Sequence, residues 1–120
     1  TADIACGKNY GNKEKQGDLK TPEGTFKIID IQDASKWKHD FGDGKGEIEG
    51  AYGNHFIRLE TPGHKGIGIH GTHDPLSIGT RATEGCIRIK NSELERLVSL
   101  IRVPTTVIIT PAVKDIKPSK

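Results

Sequence analysis

Cys86 stands between Gly85 and Ile87, and sixteen residues earlier His70 is followed by Gly71. A cysteine, a histidine and an acceptor for the second imidazole nitrogen are the parts of an activated thiol nucleophile. Gly85 lets the chain turn sharply, so that consecutive backbone N–H groups can converge on one concavity and hold a developing oxyanion. The same dipoles are expected to favour the thiolate of Cys86. Gly71 leaves its carbonyl unobstructed for the ring of His70. Taken singly, each residue has a plainer use: a lone cysteine fills apolar interiors, and a histidine at a strand end is commonly a hydrogen-bonded surface group. His70, His73, Asp74 and Cys86 could instead offer N, N, O and S donors to zinc. That set lies at a strand-to-loop junction, without a helix to fix both rings and without a second Cys or His pair, and no metal site is expected.

Positioning these residues requires rigid elements on either side of them. Gly66 to His70 alternates glycine with apolar residues, the pattern of a strand approached closely by other backbone. Gly71 to Gly85 reads as a loop, ended by a strand from Cys86 to Ile89. Further strands are expected over Asp3–Cys6, Phe26–Ile31, Phe56–Leu59 and Thr105–Thr110, the last rich in β-branched residues. Gly7 to Lys20 reads as a long solvated loop, with contact to an anionic surface as the alternative. Thr21-Pro22-Glu23-Gly24 reads as a tight turn. Lys36 to Glu49 reads as a loop pinned by Trp37 and Phe41. One helix is expected near residues 92–102, opened by Ser92 with Glu95 as its capping box and stopped by Pro104. Leu94, Leu97, Val98 and Ile101 share one of its faces. The tail from Lys114 to Lys120 is basic and is expected to fray. The elements add up to a mainly β sandwich or barrel with one short α-helix.

Composition agrees with one small domain of 120 residues. Fifteen glycines and six prolines, 21 of 120 residues, exceed the usual ~12% and favour many turns over a helical bundle. The formal net charge of +2 is too small, and the charges too evenly mixed, for a nucleic-acid groove. No apolar run is long enough for a membrane span. Two cysteines are too few for a disulfide scaffold. The chain has no Met and starts at Thr1 with no signal segment, which fits a mature or trimmed fragment.

Residues His70-Gly71-Thr72, Ser77-Ile78-Gly79, Arg81 and Thr83-Glu84-Gly85-Cys86-Ile87-Arg88 together resemble the signature of the L,D-transpeptidase (YkuD-type) catalytic domain. Twelve residues separate His70 from Thr83, a spacing common in that family. Thr21 to Phe26 is similar to its TPxGxF element, Gly50-Ala51-Tyr52-Gly53 with the strand from Phe56 to its central hairpin, and Pro104 to Val107 to its closing strand. The resemblance runs from about Gly7 to Ile109. It implies a cysteine nucleophile acting on peptidoglycan stem peptides, with no metal or organic cofactor, in the periplasm or at the cell surface. By the resemblance Cys86 is the nucleophile, His70 the base and Gly71 the carbonyl that orients it. The backbone N–H groups of Glu84, Gly85 and Cys86 form the oxyanion hole. Arg88, Arg81 and Thr83 bind substrate or support the site. Transfer to an amine of another stem makes a transpeptidase; transfer to water makes an L,D-carboxypeptidase; a silent wall-binding module is the reading from another class.

Two departures stand out. Where the family usually has His before the Gly-Cys pair, this chain has Glu84. A carboxylate there raises the thiol pKa unless an arginine, Arg81 or Arg88, pairs with it. The family's first strands are expected to be missing ahead of Thr1. Cys6 is expected to be a strand filler, with a bridge to Cys86 as a minor option. Tyr52 and His55 are expected to serve packing and surface, and His39, His64 and His73 carry no motif.

Overall fold

The computed structural model describes residues 3–40, 44 and 46–110. Among the described residues nine strands and one α-helix follow in chain order: β1 (Ile4–Gly7), β2 (Gly24–Asp33), β3 (Lys38–Asp40), β4 (Glu47–Glu49), β5 (His55–Glu60), β6 (Gly68–His70), β7 (Arg81–Thr83), β8 (Ile87–Ile89), α1 (Asn91–Leu100) and β9 (Thr106–Ile109). Seven strands form one curled sheet in the order β7-β1-β8-β6-β5-β2-β9, and β3 pairs with β4 apart from it. The molecule is mainly β with one short helix, as expected from its turn-rich composition.

Period-two alternation in the central strands separates a core face from a site face. Ile57, Leu59, Ile69, Ile87 and Ile89 form the core with Ile28 and Leu94. Register pairs Phe56 with His70 and His70 with Arg88 on the intervening positions. Both faces of β6 and β8 are therefore covered, and every residue in them is buried. Leu94 anchors α1 on the core at 0% exposure, with Leu97, Val98 and Ile101 packed around it. Burying one such leucine contributes about 2 kcal/mol.

The structure corrects four local expectations. Lys90, and not Ser92, occupies the helix N-cap, and no side chain caps it. Asn91 is turned away to the backbone of Thr72 and Glu95 reaches His55 at 2.7 Å, so the capping box does not form. The expected loop between Gly71 and Gly85 contains a 3-10 turn at Pro75–Ser77 and strand β7, which runs parallel to β1. Strands β3 and β4 make a hairpin of the segment around Trp37; Phe41 and residues 114–120 lie outside the described residues. The long loop after β1 is not simply solvated. Asp18 accepts backbone N–H bonds from Glu14, Lys15 and Lys20 at 2.8–3.1 Å and an ion pair from Lys13 at 2.9 Å, and Lys13 is buried. Burial would raise the Asp18 carboxyl, but the donors from Glu14, Lys13, Lys15 and Lys20 outweigh it and hold the group well below the usual carboxylate range. Asn91 and Glu95 found long-range partners that local pattern does not encode, while Asp18 gathers its donors from its own loop.

Candidate active site

Strands β5, β6 and β8 carry the site. Parallel pairing sets Ile69 beside Ile87, which places Cys86 next to Gly68 at the mouth of β8 and Arg88 next to His70. Cys86, His70, Arg88, Glu84 and Thr83 line one cavity of about 330 Å³ together with Tyr52, Phe56 and Arg58. Gly71 and Gly85 lie at its edge by chain connectivity. Arg81 does not line it: its Nη1 donates to the carbonyls of Gly7 at 3.0 Å and Asn9 at 3.1 Å, and its guanidinium covers the Tyr10 ring at 3.5 Å. It supports the β1 end of the sheet instead of touching the cavity.

His70 is oriented from all sides. Its Nδ1 lies 2.6 Å from the Gly71 carbonyl, so Nδ1–H donates there and Nε2 is left as the basic atom. Phe56 stacks nearly parallel to the ring with centroids 5.8 Å apart, and Tyr52 meets it edge-on at 4.8 Å. Burial pushes its pKa down to about 4, offset in part by the Gly71 bond and reinforced by the charges of Arg88 and His39. The ring is therefore neutral at pH 7.

Gly71 cannot be another residue here. A Cβ on it would strike Asn91 Oδ1 and come within 3.0 Å of the Gly53 Cα. Asn91 fills that space and holds the next residue: its Oδ1 accepts the Thr72 N–H and its Nδ2 donates to the Thr72 carbonyl. Gly71 N–H in turn donates to the Tyr52 carbonyl at 2.7 Å. Sequence does not identify Asn91, Tyr52 or Phe56 as site residues; Tyr52, beside Gly53, carried the one local signal.

The loop into β8 is clasped by Thr83. Its hydroxyl donates to the Cys86 carbonyl at 2.6 Å and accepts the Gly85 N–H at 3.2 Å. Gly85 adopts φ +142°, and a Cβ there would meet Lys20 O at 3.0 Å, so glycine is required. Arg88 is braced by Ser77, to whose hydroxyl its Nη1 donates at 2.9 Å.

Cys86 and Cys6 are both free thiols with no bridge between them, and Cys6 sits half-buried in β1. The Cys86 thiol donates to the Gly66 carbonyl at 3.2 Å. The expectation of a favoured thiolate is overturned: desolvation pushes this thiol up to about 11. A Gly68 backbone hydrogen bond and the charges of Arg58 and Lys13 pull it down, and the Glu84 charge pushes it further up, but burial dominates. The expected arginine partner of Glu84 is also corrected. Glu84 pairs with His39 at 3.2 Å, because the β3–β4 hairpin reaches the loop into β8 while Arg81 and Arg88 are held by other acceptors.

Among the described residues, no three His, Cys, Asp or Glu side chains are grouped to hold a metal, and His73 lies exposed outside the cavity. Likewise, no described helix is long and apolar enough to cross a membrane.

A family model for the L,D-transpeptidase catalytic domain (YkuD) matches residues 1–109. The chain is 33% identical over 92 residues to YkuD of Bacillus licheniformis, named as a proposed L,D-transpeptidase, covering 77% of this chain and 46% of that protein. It is 35% identical over 98 residues to YqjB of Bacillus subtilis, named in the same way, covering 80% and 54%. The chain thus spans about half the length of the curated relatives it matches. Among solved structures, the helical cell shape determining protein Pgp2 from Campylobacter jejuni superposes with a TM-score of 0.58 at 28% identity, over 88% of this chain and 36% of that one. An L,D-transpeptidase from Mycobacterium tuberculosis shares the fold with a TM-score of 0.60 at 14% identity, over 91% and 42%.

Proposed function

The chain belongs to the L,D-transpeptidase catalytic domain family, and from that premise we propose that it is a cysteine-dependent L,D-transpeptidase of peptidoglycan stem peptides. The observation that carries this reading is a neutral His70, its Nδ1 tied to the Gly71 carbonyl, in the same cavity as the free thiol of Cys86.

With the thiol pushed up and the imidazole pushed down, the resting pair is uncharged, and the proton moves only as the bond forms. Cys86 turns from the Gly66 carbonyl toward His70 Nε2, which takes the Sγ proton while sulfur attacks the carbonyl carbon of the third, L-centre residue. The oxyanion is met by the backbone N–H groups of Glu84, Gly85 and Cys86, and the long 3.2 Å bond of Gly85 to Thr83 is the one to be exchanged. Collapse breaks the C–N bond to the terminal D-alanine, whose amine leaves with the His70 proton. The thioester then acylates an amine of a second stem, His70 again accepting the proton, and the thiol is restored. Arg88 keeps the site face rigid through Ser77. Such a substrate places the protein outside the cytoplasmic membrane, in the periplasm or at the cell surface.

Intact-mass spectrometry after incubation with a disaccharide-tetrapeptide tests the reading. An adduct on Cys86, released D-alanine and dimeric stems are expected. Tripeptide monomers alone would make it a carboxypeptidase, and no adduct on a folded protein would reduce it to a wall-binding module.

A further inference from the structure

We propose that Arg58 binds a carboxylate of the acyl-donor stem and so selects which peptides reach Cys86. The proposal rests on the stem-peptide reading above and adds to it the residue that recognises the donor.

Arg58 lies in the same row of the sheet as the nucleophile. It pairs with Gly68 across β5 and β6, and Gly68 and Cys86 each stand one residue before the Ile69–Ile87 pair. Two strand spacings, about 10 Å, therefore separate the Arg58 and Cys86 backbones. Gly68 contributes no side chain between them: a Cβ there would strike Ile57 O and lie 2.5 Å from the Phe56 ring. The Phe56 ring takes the space over Gly68 instead, and Arg58 and Cys86 both line the cavity with it.

The guanidinium is also preorganised. Its Nε and Nη2 both donate to Gln32 Oε1, at 3.1 and 2.8 Å, which uses one edge of the fork. The Phe56 ring lies 5.0 Å below its central carbon and fixes its plane. Nη1 and the second Nη2 proton remain as an end-on pair, the geometry that takes a carboxylate in two parallel bonds. Among the described residues no carboxylate pairs with Arg58, whereas the neighbouring cavity charges Lys13 and Glu84 are committed to Asp18 and His39. An anionic ligand is what this cation lacks.

A donor tetrapeptide offers two carboxylates near the scissile bond. The terminal one on D-alanine is three covalent bonds from the attacked carbon. The other belongs to the side chain of a diamino acid at position three. Three donors separate them: both carboxylates free, the C-terminal amide, and the side-chain amide.

Acylation kinetics are measured with each donor for the wild type, Arg58→Gln and Arg58→Lys. The wild type is expected to disfavour one amide by about tenfold or more, as loss of a charge-assisted bond predicts, and that amide identifies the carboxylate. Arg58→Gln is expected to lose the discrimination, with KM for the free donor rising more than kcat falls. Arg58→Lys keeps the charge without the fork and is expected to fall between. Equal use of all three donors by the wild type, or undiminished discrimination in Arg58→Gln or Arg58→Lys, overturns the proposal. Absence of any thioester with every donor overturns the stem-peptide reading as well, and is recognised by the missing adduct in the wild type.

Discussion

Asn91 grips Thr72 at both ends of its amide, accepting the Thr72 N–H at 2.8 Å and donating to the Thr72 carbonyl at 3.0 Å. The first residue of α1 thereby holds the segment that follows His70, and helix packing is transmitted to the orientation of the imidazole. Asn91→Ala leaves both Thr72 backbone groups without these partners. At 1–2 kcal/mol for each of these two part-buried groups, a loss of about 2–4 kcal/mol is expected, read as a lower denaturant midpoint. D-alanine release should fall with it, because the Gly71 carbonyl loses its support. Asn91→Asp, which keeps the acceptor, should lose less.

The two catalytic assignments have separable signatures. Cys86→Ala should retain the fold, seen as an unchanged circular dichroism spectrum, and form no acyl adduct. His70→Ala should still carry the thiol but acylate about 10²–10⁴-fold more slowly. An acyl adduct on Cys86→Ala with the mass of the stem would remove Cys86 from its role.

Acid should destabilise the protein in a defined window. His70 binds its proton at about 4 when folded and near 6.5 when unfolded, so between these values the unfolded state holds more protons. Its contribution is complete above pH 6.5 and is lost as pH falls toward 4. The difference corresponds to about 3 kcal/mol. Denaturant titrations at pH 7, 5.5 and 4.5 should show this fall, and His70→Gln should flatten it.

Thiol reactivity should be low at neutral pH. With Cys86 near 11 in place of 9, its thiolate fraction at pH 8 is about a hundredfold smaller. In a Cys6→Ser background, iodoacetamide should modify Cys86 correspondingly slowly, with a rate still rising past pH 10. Rapid alkylation at pH 7 would contradict the neutral resting pair.

Glu84 is the departure with an electrostatic consequence. Its charge raises the Cys86 thiol, and its contact with His39 ties the β3–β4 hairpin to the loop into β8. Glu84→Gln should shift the thiol titration to lower pH and speed alkylation at a fixed pH. An unmoved titration would leave Glu84 with a purely structural part.

Much of the molecule was legible from local chemistry. The alternation of Ile57, Leu59, Ile69, Ile87 and Ile89 specified strands with one apolar face, and the spacing of Leu94, Leu97, Val98 and Ile101 specified the helix, because burial follows a period that a linear chain displays. The order of His70-Gly71 and Gly85-Cys86 marked the groups proposed to react, because a thiol, a base and glycines that admit close backbone approach are properties of residue type. What tertiary structure alone decided is which distant group each polar side chain meets. Asn91 spans to Thr72, Glu95 to His55, Glu84 to His39 and Arg58 to Gln32 across separations of 19 to 45 residues. The same holds for the charge state of the site. Packing on strands β5, β6 and β8 buries His70 and half-buries Cys86, which pushes the imidazole down and the thiol up, and desolvation is a property of the assembled cavity.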